Sequence, residues 1–230
     1  MKTPGLRLLG FALVVLLGIW AGMKFHADRR APGAVVRVPA GLASAPDPRD
    51  TSELAAAAPH PVIPAKLPDF SLKDLSGNPT SVASWSGKSM VINFWATWCA
   101  PCRREIPLLK ALAANRAGGD LAIVGIAVDY PEKVRAFAAQ FNIDYPVLIG
   151  EQDALDVAAK FGMPSPALPF TVFTDRRGEI VALFVGELHR NQADFILSQV
   201  QNLNDERIGL PQARRAIAVG LEAMADVHSG

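Results

Sequence analysis

The stretch 93-NFWATWCAPCRREIP-107 contains both cysteines of the 230-residue chain, Cys99 and Cys102, with two residues between them. The run 89-SMVINFWA-96 before them is apolar and rich in β-branched and aromatic residues, as is typical of a central strand. After the cysteines, apolar side chains recur at helical spacing, at Ile106, Leu109 and Leu112. The stretch therefore predicts a buried strand that leads into a helix, with Cys99 at the N-terminus of that helix.

Two cysteines at this spacing fit a zinc half-site, a structural disulfide or a redox pair. A structural zinc site needs four ligands. The chain has no third cysteine, and its histidines are scattered singly, at His26, His60, His189 and His228. A structural disulfide across two residues closes so short a loop that it removes little chain entropy. The spacing therefore favours a redox pair that opens and closes.

The predicted helix gives the two cysteines different roles. Cys99 is the expected nucleophile, because unpaired N–H groups and the positive end of the helix dipole stabilise a thiolate at a helix N-terminus. Cys102 lies one turn later and faces inward, where its thiol is placed to attack a mixed disulfide. Pro101 suits the first turn, where its missing N–H has no intrahelical partner. Arg103 and Arg104 are either solvated cations or a source of positive potential for the thiolate.

Glu105 follows Cys102 by three residues and therefore lies on the same helical face. Two interpretations of this carboxyl group stay open from the pattern alone. It is either a surface side chain paired with a cation, or a buried acid that accepts and returns the proton of Cys102. Pro107 is expected to kink the helix, because it removes the hydrogen bond to the carbonyl of Arg103.

Apolar patterning predicts one mixed α/β domain over residues 68–204. The segment 69-DFSLKDLSGNPTSV-82 predicts an N-terminal hairpin, and 169-PFTVFTDRRGEIVALFVG-186 predicts a second hairpin. Between them, strands alternate with helices, which implies parallel strand pairs. The predicted architecture is a mixed central sheet flanked by helices.

Residues 205–230 form a predicted C-terminal helical extension. Its apolar side chains follow one helical stripe, at Leu210, Ala213, Ile217, Leu221 and Met224. Gly220 weakens an isolated helix, so this extension needs a surface to pack against. That surface is either its own domain or a partner, through docking or dimerisation.

The N-terminal region differs from the rest of the chain. The run 8-LLGFALVVLLGIWAGM-23 carries no charge and is slightly shorter than the about 20 apolar residues of a spanning helix. No Ala-x-Ala cleavage site follows it. We expect residues 1–26 to be an uncleaved membrane anchor, with a removed signal as the alternative. Residues 27–67 are rich in Ala and Pro and are expected to form an extended linker.

The charge balance excludes nucleic acid as a partner. Lys and Arg number 23 against 22 Asp and Glu, which gives a net charge of +1. Nucleic-acid binding normally requires a clustered basic surface. We also predict no metal ion and no other cofactor.

The motif FWATWCAPC, with its helix kinked at Pro107, resembles the thioredoxin superfamily. Together with the preceding SGNPTSVASWSGKSMVINF, it is similar to the membrane-anchored TlpA/ResA-like thiol-disulfide reductases, including those that serve cytochrome c maturation. The resemblance extends from Pro68 to Leu203 and implies a thioredoxin-like fold. It also implies that Cys99 is the attacking thiol and Cys102 the resolving thiol of a redox-active disulfide.

The resemblance implies a cis proline facing the cysteines, and ALPFTVF places it at Pro169. Relatives usually carry Thr after this proline, so the Phe170 of this chain indicates a different client-binding surface. The residues expected to contact a client are Trp98, Ala100, Pro101, Leu168 and Phe170. Trp95 is expected in the core.

The resemblance also favours a proton-transfer role for Glu105. Thioredoxins proper carry a buried Asp six residues before the first cysteine, where this chain has Asn93, which does not titrate. The TlpA/ResA-like group instead carries a Glu that matches Glu105. The catalytic residues expected from the sequence are thus Cys99, Cys102, Glu105 and Pro169.

The residues between the cysteines bear on the direction of the reaction. Strong oxidants of this fold tend to carry a His there, which Ala100 and Pro101 do not supply, so we expect a protein-disulfide reductase. The resemblance suggests a membrane thiol carrier of the DsbD/CcdA kind as electron donor. The expected client is a disulfide-bonded exported protein, such as an apocytochrome or a copper-centre protein. The expected location is the bacterial inner membrane, single-pass, with the catalytic domain in the periplasm or on the outside face.

Two other activities use the same thiols. A Cu(I)-binding chaperone would hold copper between both thiolates, with His189 as a third ligand. A thiol peroxidase would need a Pro-x-x-x-Thr-x-x-Cys loop, which the chain lacks. Copper binding is therefore the alternative to disulfide reduction.

Overall fold

The computed structural model describes residues 63–115 and 119–227. The predicted anchor, residues 1–26, and the linker as far as residue 62 lie outside the described residues. Within the described ranges, no helix is both long enough and apolar enough to cross a membrane.

Seven strands of the described chain form one mixed sheet in the order β2-β1-β5-β4-β3-β6-β7. They are β1 (Ser71–Asp74), β2 (Pro79–Ser81), β3 (Ser89–Trp95), β4 (Leu121–Val128), β5 (Val147–Gly150), β6 (Phe170–Thr174) and β7 (Ile180–Val185). Strands β3, β4 and β5 are parallel, because helices connect them. The two hairpins, β1–β2 and β6–β7, are antiparallel and extend the sheet on either side.

The described part of the chain has five α-helices, which cover the sheet: α1 (Ala100–Asn115), α2 (Pro131–Gln140), α3 (Gln152–Lys160), α4 (Arg190–Asn204) and α5 (Leu210–Val227). Helices α1, α2, α4 and α5 contribute to one apolar core and α3 to the other. Every residue of β3 is buried, so the strand that leads to the cysteines is central, as its apolar run predicted. The mixed α/β, thioredoxin-like fold class is confirmed.

The C-terminal helix α5 packs on the domain. Ala213 and Ile217 are buried in the same core as α4. A Cβ atom at Gly220 would lie 2.3 Å from Cε1 of Phe195 in α4. The glycine that weakens this helix is therefore also what allows it to approach α4 closely.

The predicted linker ends earlier than residue 67. The N–H of Leu67 donates to the carbonyl of Gly178 at 2.8 Å, and the N–H of Ile180 donates to the carbonyl of Ala65 at 3.0 Å. These residues pair with the β6–β7 hairpin because its outer backbone groups would otherwise have no protein partner. Residues 65–67 thus belong to the folded domain rather than to an extended tether.

Candidate active site

Cys99 occupies the N-cap position of α1. Its carbonyl accepts a hydrogen bond from the N–H of Arg103 at 3.2 Å, and its Sγ atom accepts one from the N–H of Cys102 at 3.3 Å. A side-chain acceptor at the N-cap normally receives this N–H of the first turn. The same donor, together with the helix dipole, is placed to stabilise negative charge on Cys99.

The structure holds the two cysteines in the oxidised form, as a Cys99–Cys102 disulfide. Cys99 is 5% exposed, whereas Cys102 is fully buried. Of the two residues between them, Ala100 is exposed and Pro101 is half-buried, in the first turn of α1. Attack from outside can therefore reach only the Cys99 side of the pair.

Glu105 is buried on the same face of α1 as Cys102. Its Oε1 accepts a hydrogen bond from Nδ2 of Asn93 at 2.7 Å, and its Oε2 accepts one from the N–H of Leu188 at 2.9 Å. Burial raises the pKa of Glu105 to about 7, although both hydrogen bonds oppose the shift. Of the two interpretations that the sequence leaves open, the surface side chain is wrong, because Glu105 is buried.

Asn93 holds this carboxyl group with a donor that does not titrate. Its Nδ2 also donates to Oγ1 of Thr171 at 3.0 Å, and the two residues are register partners on β3 and β6. Both amide hydrogens therefore have acceptors. The sequence indicated that Asn93 cannot replace an acid, but not that it binds the acid on α1.

The chain between β7 and α4 supplies the other donor to Glu105. The N–H of Leu188 reaches the carboxyl group, and the side chain of Leu188 is buried in the core. Next to it, Glu187 forms a two-point ion pair with Arg104, with Nε–O distances of 3.0 and 2.8 Å. Nothing local in the sequence connects Glu187 or Leu188 to the cysteines, so neither residue was predicted.

The two arginines after Cys102 have different partners. The Arg103 guanidinium lies over the rings of Phe137 and Phe141, 5.8 and 5.5 Å from their centroids. Arg104 binds Glu187, whose pKa is lowered by the hydrogen bond from Arg104. Neither arginine is simply a solvated cation.

The peptide bond between Leu168 and Pro169 is cis, as the resemblance implied. Leu168 is half-buried and Pro169 is buried. The carbonyl of Pro169 accepts a hydrogen bond from the N–H of Gly186 at 2.9 Å. The cis-proline loop is therefore tied to the same segment that carries Glu187 and Leu188.

Phe170 corrects one expectation. Its side chain is fully buried and stacks on Phe94 with a centroid distance of 4.2 Å. The first residue of β6 directs this ring into the core on the α3 side of the sheet, in the same apolar cluster as Phe161. The prediction that the Phe170 side chain contacts a client is wrong. Its departure from the usual Thr is an adjustment of core packing.

The exposed surface beside Cys99 is aromatic. Trp98 is 69% exposed, while Trp95 is in the core, as expected. Oδ2 of Asp129 accepts from the N–H of Thr97 at 3.2 Å and from its hydroxyl group at 2.5 Å. The contact between Thr97 and Asp129 joins the loop that carries Trp98 to the loop that carries Tyr130. Tyr130, which follows Asp129, is 49% exposed and is a second exposed aromatic residue. Tyr130 was not predicted.

His189 does not belong to a metal cluster. Its N–H donates to Oε1 of Gln192 at 2.9 Å at the start of α4. Across residues 63–115 and 119–227, no three or more His, Cys, Asp and Glu side chains form a group that could hold a metal ion.

Comparison with known proteins places this chain in a family. Residues 63–183, just over half of the chain, match the AhpC/TSA family. The chain belongs to the AhpC/TSA family. The matched segment contains the first strand of each hairpin, β1 and β6, the Cys99–Cys102 pair and the cis proline.

Two relatives in this group have informative names. The thioredoxin-like protein YneN of Bacillus subtilis (strain 168) is 37% identical over 133 residues, which are 56% of this chain and 75% of that protein. The thiol-disulfide oxidoreductase ResA of Geobacillus kaustophilus (strain HTA426) is 31% identical over 140 residues, which are 60% of this chain and 78% of that protein. The resemblance to TlpA/ResA-like proteins is thereby confirmed.

A solved structure supports the same conclusion. The crystal structure of a thiol:disulfide interchange protein of the thioredoxin family from Chlorobium tepidum TLS superimposes with a TM-score of 0.54 and 29% identity. The match covers 60% of this chain and 96% of that structure. With the Cys-x-x-Cys disulfide at a helix N-terminus, these relationships identify the family member described here as a thiol-disulfide oxidoreductase.

Proposed function

We propose that this oxidoreductase works as a reductase of disulfides in exported proteins. One observation carries the proposal: a buried carboxyl group, Glu105, lies one turn beyond the resolving Cys102 with a pKa of about 7. A group with this pKa exchanges protons near neutral pH, where the thiols of a reductase must be deprotonated in turn. A purely structural disulfide has no use for such a group.

The reaction requires two thiol–disulfide exchanges. In the reduced enzyme, the Cys99 thiolate attacks the client disulfide; that S–S bond breaks, a Cys99–client mixed disulfide forms, and the other client sulfur leaves as a thiolate and takes up a proton. Cys102 then gives its proton to the Glu105 carboxylate and attacks Sγ of Cys99. The Cys99–Cys102 disulfide forms, and the second client sulfur leaves and is protonated. Two electrons pass from the enzyme to the client. One of the two protons that the client thiols gain comes from Cys102 through Glu105, and the other comes from solvent, which took up the Cys99 proton when the thiolate formed.

One feature supports reduction over oxidation. Ala100 and Pro101 place no His beside the Cys99 thiolate, so the reduced form lacks the stabilisation that makes a strong oxidant. Cys102 is fully buried, so its thiol is shielded from external disulfides and is kept for resolving the mixed disulfide. The relative ResA is named an oxidoreductase without a direction. A potential measured against glutathione tests this point, since thioredoxin lies at about −270 mV and the strong oxidant DsbA at about −120 mV; we expect a value near the former, and a value near the latter refutes reduction.

Client contact is assigned to the exposed surface around Cys99. Trp98 and Ala100 are exposed, and Pro101 and Leu168 are half-buried. An extended client segment next to its own disulfide would lie against this surface and the cis-proline loop. The proposed clients are disulfide-bonded exported proteins, with an apocytochrome or a copper-centre protein as the leading classes.

The proposed location follows from the N-terminal sequence. Residues 1–26 are proposed to anchor the chain in the bacterial inner membrane, with the catalytic domain in the periplasm. A membrane thiol carrier of the DsbD/CcdA kind is the proposed electron donor, because a reductant in an oxidising compartment needs electrons from across the membrane. Full-length protein should remain with membranes after an alkaline carbonate wash, whereas a chain that begins at residue 27 should be soluble. Release of the full-length protein by the wash would refute the anchor.

A trapping experiment tests the mechanism. Reduced Cys102→Ser protein should form stable mixed disulfides through Cys99, which mass spectrometry of the adducts would identify. The double variant Cys99→Ser/Cys102→Ser serves as the matched control and should form none. If Cys102→Ser forms no adduct and reduces insulin at the wild-type rate, the two-thiol mechanism is wrong.

A further inference from the structure

The Gly186–Leu188 segment contacts three separate parts of the site. The N–H of Gly186 donates to the carbonyl of cis-Pro169 at 2.9 Å. The Glu187 carboxylate pairs with Arg104, and the N–H of Leu188 donates to Glu105 at 2.9 Å. Three consecutive residues therefore join the cis-proline loop, the surface of α1 and the buried acid.

The contacts to α1 form two adjacent connections. Arg104 immediately precedes Glu105 on the helix, and Glu187 immediately precedes Leu188 on the loop. The outer connection is the ion pair, with side chains 61% and 21% exposed. The inner connection is the hydrogen bond from Leu188 to the buried carboxyl group. The Arg104–Glu187 ion pair fixes the separation between α1 and the loop. At that separation, the hydrogen bond from Leu188 to Glu105 forms.

Gly186 explains why the loop relies on these contacts. Its φ angle is +107°, a conformation that side-chain-bearing residues rarely adopt, and no atom beyond its two chain neighbours would lie within 4 Å of a Cβ there. The chain therefore turns through a residue with little packing of its own. What holds the turn in place is the hydrogen bond to Pro169, the Arg104–Glu187 pair and the buried side chain of Leu188.

We propose that the Arg104–Glu187 ion pair is a positioning device for the proton-transfer acid. It keeps the Gly186–Leu188 segment against α1, so that the Leu188 N–H stays on Glu105 while the Gly186 N–H stays on the cis-proline loop. Arg104 and Glu187 are thus positioning residues that act through Leu188. This inference rests on the proposed function, in which Glu105 exchanges a proton with Cys102.

The proposal makes a prediction that charge effects alone do not make. The charge of Glu187 on the loop raises the pKa of Glu105, and Arg104 on α1 pairs with Glu187. Tyr145, before β5, stays protonated because burial and the charges of Glu105 and Asp144 raise its pKa. By charge alone, Glu187→Gln would lower the pKa of Glu105 and Arg104→Met would raise it. If both act by holding the Leu188 N–H in place, losing either one raises that pKa, because a donor to the carboxylate is lost.

The experiment measures the titration of Glu105 directly. Full-length oxidised protein carrying ¹³C-carboxyl glutamate is titrated by NMR, with the Glu105 resonance assigned from its absence in Glu105→Gln. We expect upward shifts of about half a pH unit or more in both Arg104→Met and Glu187→Gln, since each loses a hydrogen bond to the charged form. The charge-swapped pair Arg104→Glu/Glu187→Arg should return the midpoint toward the wild-type value.

A matched control comes from another exposed arginine. Arg177 pairs with Asp175 and Glu179 in the hairpin at the other end of β6 from Pro169, so Arg177→Met should leave the Glu105 titration unchanged. Shifts of opposite sign in the two single variants, no shift in either, or no recovery in the swapped pair would each overturn the positioning role. The NMR readout does not depend on activity, so a wild-type protein that fails to reduce disulfides would refute the proposed function separately.

Discussion

Glu105→Gln replaces a buried, titrating carboxyl group by a neutral amide of nearly the same shape. In the folded chain the pKa of Glu105 is about 7, because burial raises it from an ordinary 4.5. Between these two values the folded protein holds a proton that the unfolded chain has released. The stability that Glu105 contributes is therefore complete below pH 4.5, falls as the pH rises, and is lost above about 7.

The size of the effect follows from the shift. Each pH unit of difference between folded and unfolded pKa is worth about 1.36 kcal/mol, so from pH 5 to pH 8 Glu105 should cost the wild type about 2.5 kcal/mol of unfolding free energy. The amide introduced by the substitution does not titrate, so the variant escapes this loss. Relative to the wild type, Glu105→Gln should thus gain about 2.5 kcal/mol between the two pH values.

Urea unfolding, followed by circular dichroism at pH 5 and pH 8 with the Cys99–Cys102 disulfide intact, measures this difference. Comparing the change with pH cancels both the constant cost of the amide and the titration of all other groups. Glu132→Gln, at an exposed position in α2, is the control and should follow the wild type. If the unfolding free energy of Glu105→Gln changes between pH 5 and pH 8 by the same amount as that of the wild type, to within about 0.5 kcal/mol, Glu105 titrates normally and its assignment as a proton-transfer acid is unsupported.

Three further changes have defined expected results. Glu105→Gln should slow resolution of the mixed disulfide at least about tenfold near neutral pH, because it removes a general base; stopped-flow kinetics should also show a changed pH profile, and an unchanged rate and profile would exclude proton transfer. Asn93→Asp puts a second carboxyl group 2.7 Å from Glu105, so one of the two should hold its proton to higher pH. The unfolding free energy of the variant should then fall more steeply with rising pH than that of the wild type, and an equal slope would contradict this. Gly220→Ala should destabilise the protein by about 1 kcal/mol or more despite better helix propensity, because the new methyl group meets Phe195; a higher melting temperature would mean that α5 is not packed as described.

Much of the fold could be predicted because its signals are local. The apolar run of β3 and the glycine-containing turns of both hairpins give the strands and their order along the chain. Helix-terminus chemistry gives Cys99 its N-cap position, and the resemblance to known reductases gives the cis bond before Pro169. Each inference used neighbouring residues or a motif.

The rest of the site could not be predicted, because it depends on contacts between distant parts of the chain. Leu188 and Glu105 are 83 residues apart, and no pattern indicates which loop N–H will reach a buried carboxyl group. The pairing of Arg104 with Glu187 has the same origin. The prediction of client contact for Phe170 was wrong for a different reason. It was made by analogy with a surface residue, whereas an apolar ring at the start of β6 is more stable when it packs against Phe94.

The attachment of α5 also has a consequence for solubility. β7 is the last strand of the sheet, and an open strand edge is a template on which other chains can add strands and aggregate. Here the carbonyl of Ile180 accepts hydrogen bonds from Arg214 of α5, at 3.1 Å from Nε, and its N–H is bound to the carbonyl of Ala65. Part of this edge is therefore already occupied by the chain's own flanking segments. A truncated protein without these flanking segments would keep the Cys99–Cys102 pair but would expose the edge of β7, on which other chains can add strands.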